Sequence, residues 1–336
     1  MISKRFVAKR LLLLVPVLFG VATLVFAILQ LSPGDPAVTI AGERADRADI
    51  IEIRHRLGLN EPLWEQYVQF LWDTVNLDFG ESFKIQPGTP VTDILADRLP
   101  ITIELAFLGL FSGLLFGLPI GILSAVKQDT WTDHLSRIGA LGGISVPIYW
   151  SGPLLIMFFS IYLGIFPISG RIGDFDIQAR TGMILIDTLL VGRFDAFLSA
   201  VKHLFLPVVV LGIYSMAFIS RMMRSSMLEV IRQDYMRTAR AKGQGSKITI
   251  LKHGLRNAFI PVITIIGIQF GSMLGGSVLT ETVFSINGIG TLLVEAINKS
   301  DYPVVQATVL VFAAMYTIVN LVVDITYSML DPRINQ

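Results

Sequence analysis

Six long apolar runs dominate the chain, at 11–31, 101–126, 138–163, 201–222, 258–279 and 304–327. Each reaches the ~20 residues that a helix rising 1.5 Å per residue needs to cross ~30 Å of hydrocarbon. A soluble domain has no interior large enough for six such segments. The 336 residues are 53% hydrophobic and only 16% charged, more apolar than one polar-surfaced core accommodates. The expectation is an all-α polytopic membrane protein with six transmembrane helices. A shorter run at 183–191 contains Asp187 and cannot span; its place is at the interface or over the helix ends.

Lys4, Arg5, Lys9 and Arg10 precede the first run in the manner of a signal peptide. Its 21 residues exceed a cleavable core, and no small-x-small site follows, so it reads as an uncleaved signal anchor. With the N-terminus inside, the inner segments hold sixteen Lys and Arg and the outer ones ten. Six of those ten lie in the long 32–100 segment, beside twelve acidic residues. The positive-inside rule therefore places both termini in the cytoplasm. The chain divides into 1–31 (N-terminus and first span), the extracytoplasmic 32–100, and a five-helix core over 101–336 with a cytoplasmic loop at 221–257.

Within 32–100, residues 50–57 and 62–75 have helical patterns, the second with Leu63, Tyr67, Phe70 and Leu71 on one side. The segment fits either a solvated cap or a docking surface for an external partner. Gly109, Gly113, Gly117 and Gly121 recur every four residues, as do Gly267, Gly271 and Gly275, which puts each set on one helix face for close helix packing. A moving or pore-lining seam is the alternative. Pro16, Pro119, Pro147, Pro153, Pro207 and Pro261 lie in or beside spans and can kink them. Polar groups at depth are few. Gln269, Ser272 and Asn320 are candidates for a translocation path or for helix–helix hydrogen bonds, and Asp324 sits near an inner end, interfacial or paired with a base.

Several chemistries are excluded. A formal net charge of +1 offers no basis for nucleic-acid binding, and the absence of cysteine removes disulfides, thiolate metal sites and thiol nucleophiles. Gly243-Gln244-Gly245-Ser246-Lys247 lacks phosphate-loop spacing, and His55, His134, His203 and His253 are scattered. No catalytic set, cofactor site or metal site is expected in this chain.

The most informative segment lies between the fourth and fifth spans, where nine basic residues face only Glu229 and Asp234. Such charge also suits contact with anionic lipid. Asp234-Tyr235-Met236-Arg237-Thr238-Ala239-Arg240-Ala241-Lys242-Gly243 reads as a short helix stopped by glycine, a knob shaped to enter a groove on another protein. It is similar to the E-A-A-x-x-x-G loop of ABC importer permeases. Ala239 and Gly243 match, while Arg237 and Thr238 stand for the glutamate and first alanine, departures habitual in the dipeptide/oligopeptide/nickel permease family. Further blocks resemble that family: Ser32-Pro33-Gly34-Asp35-Pro36, Leu57-Gly58-Leu59-Asn60-Glu61-Pro62, Leu77-Asp78-Phe79-Gly80-Glu81-Ser82, Glu281-Thr282-Val283-Phe284, Gly288-Ile289-Gly290, Asp301-Tyr302-Pro303 and Leu330-Asp331-Pro332-Arg333.

The resemblance implies a type I importer permease fold, MetI-like, in a prokaryotic inner or plasma membrane. It implies a second homologous permease, two ABC ATPase subunits that bind ATP and Mg, and an extracytoplasmic substrate-binding protein. Residues Arg237, Thr238, Ala239, Arg240, Ala241, Lys242 and Gly243 would form the coupling helix seated in an ATPase. Dipeptides or oligopeptides are the expected cargo, with nickel chelates or short oligosaccharides as alternatives. A stand-alone secondary transporter, or a scaffold that binds ATPases without moving solute, are the rival readings, and the first has no use for a glycine-stopped knob.

Overall fold

The computed structural model describes residues 4–31, 35–41, 46–56 and 58–330. Its helices, in chain order, are α1 (Lys4–Leu31), α2 (Pro36–Ala41), α3 (Arg47–Arg56), α4 (Leu63–Val75), α5 (Val91–Val126), α6 (Trp131–Ser145) and α7 (Ile148–Leu155). Then follow α8 (Ile184–Val191), α9 (Phe194–Ile231), α10 (Asp234–Ala241), α11 (Ser246–Ile248), α12 (Leu255–Val283), α13 (Ile289–Lys299) and α14 (Tyr302–Leu330). π-Helical stretches continue α7 through Ile156–Tyr162 and lead into α12 through Thr249–Gly254. Among the described residues the sole β pairing is an isolated bridge between Glu81 and Pro90. The expected blocks at Ser32-Pro33-Gly34, Leu57 and Asp331-Pro332-Arg333 lie outside the described residues, as do the side chains of Lys4 and Arg5.

Five apolar helices are long enough to span: Lys9–Leu31, Val91–Val126, Phe194–Ile231, Ser246–Gly275 and Tyr302–Thr326. The expected third span, 138–163, is not one straight helix. α6 and the α7 stretch that follows meet at an angle of 100°. Pro147 causes the break: it has no N–H to continue the ladder, and it drives Val146 to an extended ψ of 117°. Pro16, Pro100, Pro119, Pro207 and Pro261 are carried inside continuous helices. α5 begins at Val91, so residues 91–100 belong to the same helix as the second apolar run.

The core centres on α5 against α9, joined by α12. The first glycine ladder explains this closeness. A Cβ on Gly109 would lie 2.7 Å from Leu211, and one on Gly121 would lie 2.6 Å from the Ser220 carbonyl. Gly113 and Gly117 face Ser215, Met216 and Ile219 in the same seam. Missing side chains let the backbones approach. The second ladder is only partly such a seam: Gly271 lies against Tyr316 and Gly267 against Val323 of α14, whereas Gly275 faces open space.

α1 stands outside this core against α14, with Arg10 Nη1 2.7 Å from Asp324 Oδ2. That ion pair supplies the base expected beside Asp324. On its other side α1 carries α4, where the Tyr67 and Phe70 rings pack on Phe26 and the Tyr67 hydroxyl shares a 2.7 Å hydrogen bond with Thr23 Oγ1. Leu63, at the first helical position, is exposed rather than on the packed face.

Candidate functional site

One end of the bundle gathers the turn between α5 and α6, the end of α9, α10 and the start of α12. α10 is polar, with Asp234 in its first turn and Arg240 in its last, each complementing the helix dipole. Its one buried side chain is Met236, which shares the surroundings of Gly254 with Met227 of α9. Gly254 opens the space for both: a Cβ there would lie 3.3 Å from Met236 and 3.5 Å from Met227. Two side-chain bonds tie the segment to the chain that enters α12. Asn257 Nδ2 donates to the Tyr235 hydroxyl at 2.9 Å, and His253 Nε2 and Gln244 Oε1 are 2.9 Å apart.

The helix ends as its glycine foretells. Gly243 has φ +82°, its N–H donates to the Arg240 carbonyl at 2.9 Å, and the Gln244 N–H donates to the Ala239 carbonyl at 3.3 Å. Those two bonds form a Schellman stop, which needs the left-handed conformation that glycine adopts without a Cβ penalty. No atom lies within 4 Å of where its Cβ would be, so backbone conformation rather than space demands glycine. Arg237, Thr238, Arg240, Ala241, Lys242 and Gly243 are exposed and Ala239 is half-buried. Five of the seven expected residues, Arg237–Ala241, thus lie in one short, largely exposed helix, and Lys242 and Gly243 form its stop. The Arg237–Asp234 pair at 3.7 Å is solvent-exposed and adds little.

Beneath this segment Asp133 locks α6 to α9 and α5. Arg224 donates from Nε and Nη2 to its two oxygens, both at 2.7 Å, and Ser124 Oγ donates at 2.5 Å. The Asp129 N–H adds a further bond at 3.1 Å. Two-pronged guanidinium pairing fixes orientation as well as distance. Local patterns do not reveal this junction, since Arg224 lies 91 residues from Asp133.

At the opposite end, four acidic side chains hold the connecting segments. Glu281, fully buried, accepts from Thr102 Oγ1 at 2.6 Å, Ser277 Oγ at 3.1 Å and the Thr291 N–H at 3.0 Å. Thr102 Oγ1 accepts from the Ile289 N–H at 2.9 Å, so α5 and α12 together cap α13. Gly288 and Gly290 lie where any Cβ would strike the Glu281 carboxylate. Asp301, also fully buried, accepts from Ser82 Oγ at 2.6 Å and from the N–H groups of Phe83, Lys84 and Ile85. Glu104 accepts from the first two amides of α8. Burial acts to raise the Asp187 carboxyl, but the Thr181 amide and hydroxyl and the Gly182 amide outweigh it and hold it below the usual carboxylate range. These contacts give a physical role to Ser82 of the Leu77–Ser82 block, Glu281 of Glu281–Phe284, Gly288 and Gly290 of Gly288–Gly290, and Asp301 of Asp301–Pro303.

The three proposed path residues differ in burial. Gln269 is buried with its Nε2 unpartnered among the described residues, Ser272 is exposed, and Asn320 is half-buried on α14.

A core of long apolar helices with a short exposed helix at its basic end is the frame of a polytopic membrane protein. The family described as "Binding-protein-dependent transport system inner membrane component" matches residues 117–336, and its N-terminal companion matches 3–106. The chain belongs to this inner-membrane family. It is 46% identical to the dipeptide transport system permease protein DppB of Alkalihalophilus pseudofirmus, over 97% of this chain and 98% of that protein. With DppB of Escherichia coli K12 it shares 42% identity over 98% of both chains. A structure of the MetNI methionine ABC transporter in an inward-facing conformation matches 71% of this chain and 97% of its own at TM-score 0.53 and 16% identity, a likeness of fold.

Proposed function

We propose that this chain is a permease subunit of an importer for dipeptides and short oligopeptides, and that α10 is its point of coupling to ATPases. The projecting helix with its Schellman stop carries this reading. It offers a polar knob, anchored through Met236, Tyr235 and Gln244, to whatever docks at the basic end. In this reading the basic end faces the cytoplasm, two ATPases that bind ATP and Mg dock there, and a second homologous permease completes the path. The external binding protein meets the end that carries 32–100. Because ATP favours the closed ATPase pair, closure shifts the permeases toward the outward-facing state through the rigid lever. The peptide class rests on full-length similarity to dipeptide permeases, with a glutathione permease of Escherichia coli at 40% identity beside them.

Gly243→Asp tests the lever. At φ +82° an L side chain costs ~1–2 kcal/mol and unwinds the stop. Peptide-stimulated ATP hydrolysis should vanish while membrane insertion persists, and Gly243→Asn, which tolerates the left-handed region better, should keep part of it. Wild-type coupling in Gly243→Asp overturns the assignment. Affinity purification in mild detergent checks the assembly: recovery of a second permease and two ATPases supports it, and recovery of the chain alone favours a stand-alone transporter.

A further inference from the structure

Between α5, α6 and α9, at the basic end, lies a cavity of about 340 Å³ that the coupling segment does not use. Its walls are of two kinds. Ile120, Ala140 and Leu141 form an apolar side. Beside them in the lining are three guanidinium groups, of which Arg224 is neutralised by Asp133. Arg137 and Arg221 are exposed and make no ion pair among the described residues; Arg221 rests on the Phe218 ring at 5.6 Å. Hydroxyls of Ser136 and Ser225 complete the polar rim.

Position decides what such a cavity takes. Ile120 and Ser124 lie in the last two turns of α5, within about 10 Å of its end at 1.5 Å per residue, a depth that corresponds to the boundary between headgroups and hydrocarbon. Leu123 of α5 and Leu135 and Ile138 of α6 are exposed apolar residues close by, giving acyl chains a surface to follow. We infer that this cavity binds one anionic phospholipid, its phosphodiester held by Arg137 and Arg221 and its acyl chain against Ile120 and Leu141. Uncompensated cations favour a headgroup of net negative charge and repel the amine of a zwitterionic one. The apolar wall favours a lipid over a free phosphate ion, which gains nothing from it. Basic pockets between transmembrane helices are suited to acidic headgroups on the same physical grounds.

Native mass spectrometry of the purified complex, titrated separately with phosphatidylglycerol, phosphatidylcholine and inorganic phosphate, tests the site. Wild type should retain phosphatidylglycerol in preference to phosphatidylcholine. Arg137→Gln with Arg221→Gln should weaken that retention on the order of 25-fold, about fivefold for each guanidinium. Leu141→Trp keeps both charges but fills the apolar side, and should also lower retention, while Lys252→Gln, a charge removed elsewhere in the basic loop, should leave it unchanged. Equal phosphatidylglycerol binding by wild type and the double arginine variant overturns the inference. So does unaltered binding in Leu141→Trp with inorganic phosphate displacing the lipid, which would make the cavity a phosphate site.

Discussion

Single carboxylates carry much of the order at the end opposite α10. Asp301 gathers a hydroxyl and three backbone amides into one buried site, so the 82–86 turn has its shape dictated by a residue far along the chain. Hydrogen bonds to a charged acceptor are each worth ~1.5–3 kcal/mol. Asp301→Asn removes the charge and turns one acceptor into a donor facing donors. The turn should open by about 3 kcal/mol, read as faster amide hydrogen exchange at Phe83–Ile85 with the rest of the bundle unchanged. Unaltered exchange there would show that the turn is held by something else. The sequence marks Glu281 and Asp301 through the blocks they open but not their partners, because an acidic residue looks like an ordinary loop or helix-end charge until its donors are known. Gly243 was legible, since a glycine after a short polar helix has one common use.

Among elements, the apolar runs located five spanning helices correctly and overstated the straightness of a sixth. A run records burial from water but not direction, and Pro147 is one of several prolines of which most leave their helices continuous. The glycine ladders show the same limit. Spacing of four marks a shared face, yet only a neighbour makes that face a seam. Gly113→Leu should therefore prise α5 from α9 and cost at least the ~1–3 kcal/mol of an overpacked core, seen as a lower unfolding temperature of the purified chain. Gly275→Ala meets no atom within 4 Å and should stabilise α12 by up to ~1 kcal/mol through helix propensity alone. Similar losses from both substitutions would mean that Gly275 is packed after all.

For the whole molecule, the Arg10–Asp324 pair joins the first and last spans. The chain has no cysteine, so one introduced thiol reports orientation without background. With α10 on the cytoplasmic side, Lys299→Cys should react with an impermeant maleimide added outside intact inner-membrane vesicles of native orientation. Lys247→Cys should react only after permeabilisation, and the reverse pattern would invert the topology.

The Asp301 site also sets a schedule for biosynthesis. Its hydroxyl donor, Ser82, lies 219 residues upstream. At 5–20 residues per second the donors wait roughly 10–40 s for their acceptor to leave the ribosome. Until Asp301 follows, three amides and a hydroxyl stand without their acceptor, so this turn closes only late in synthesis.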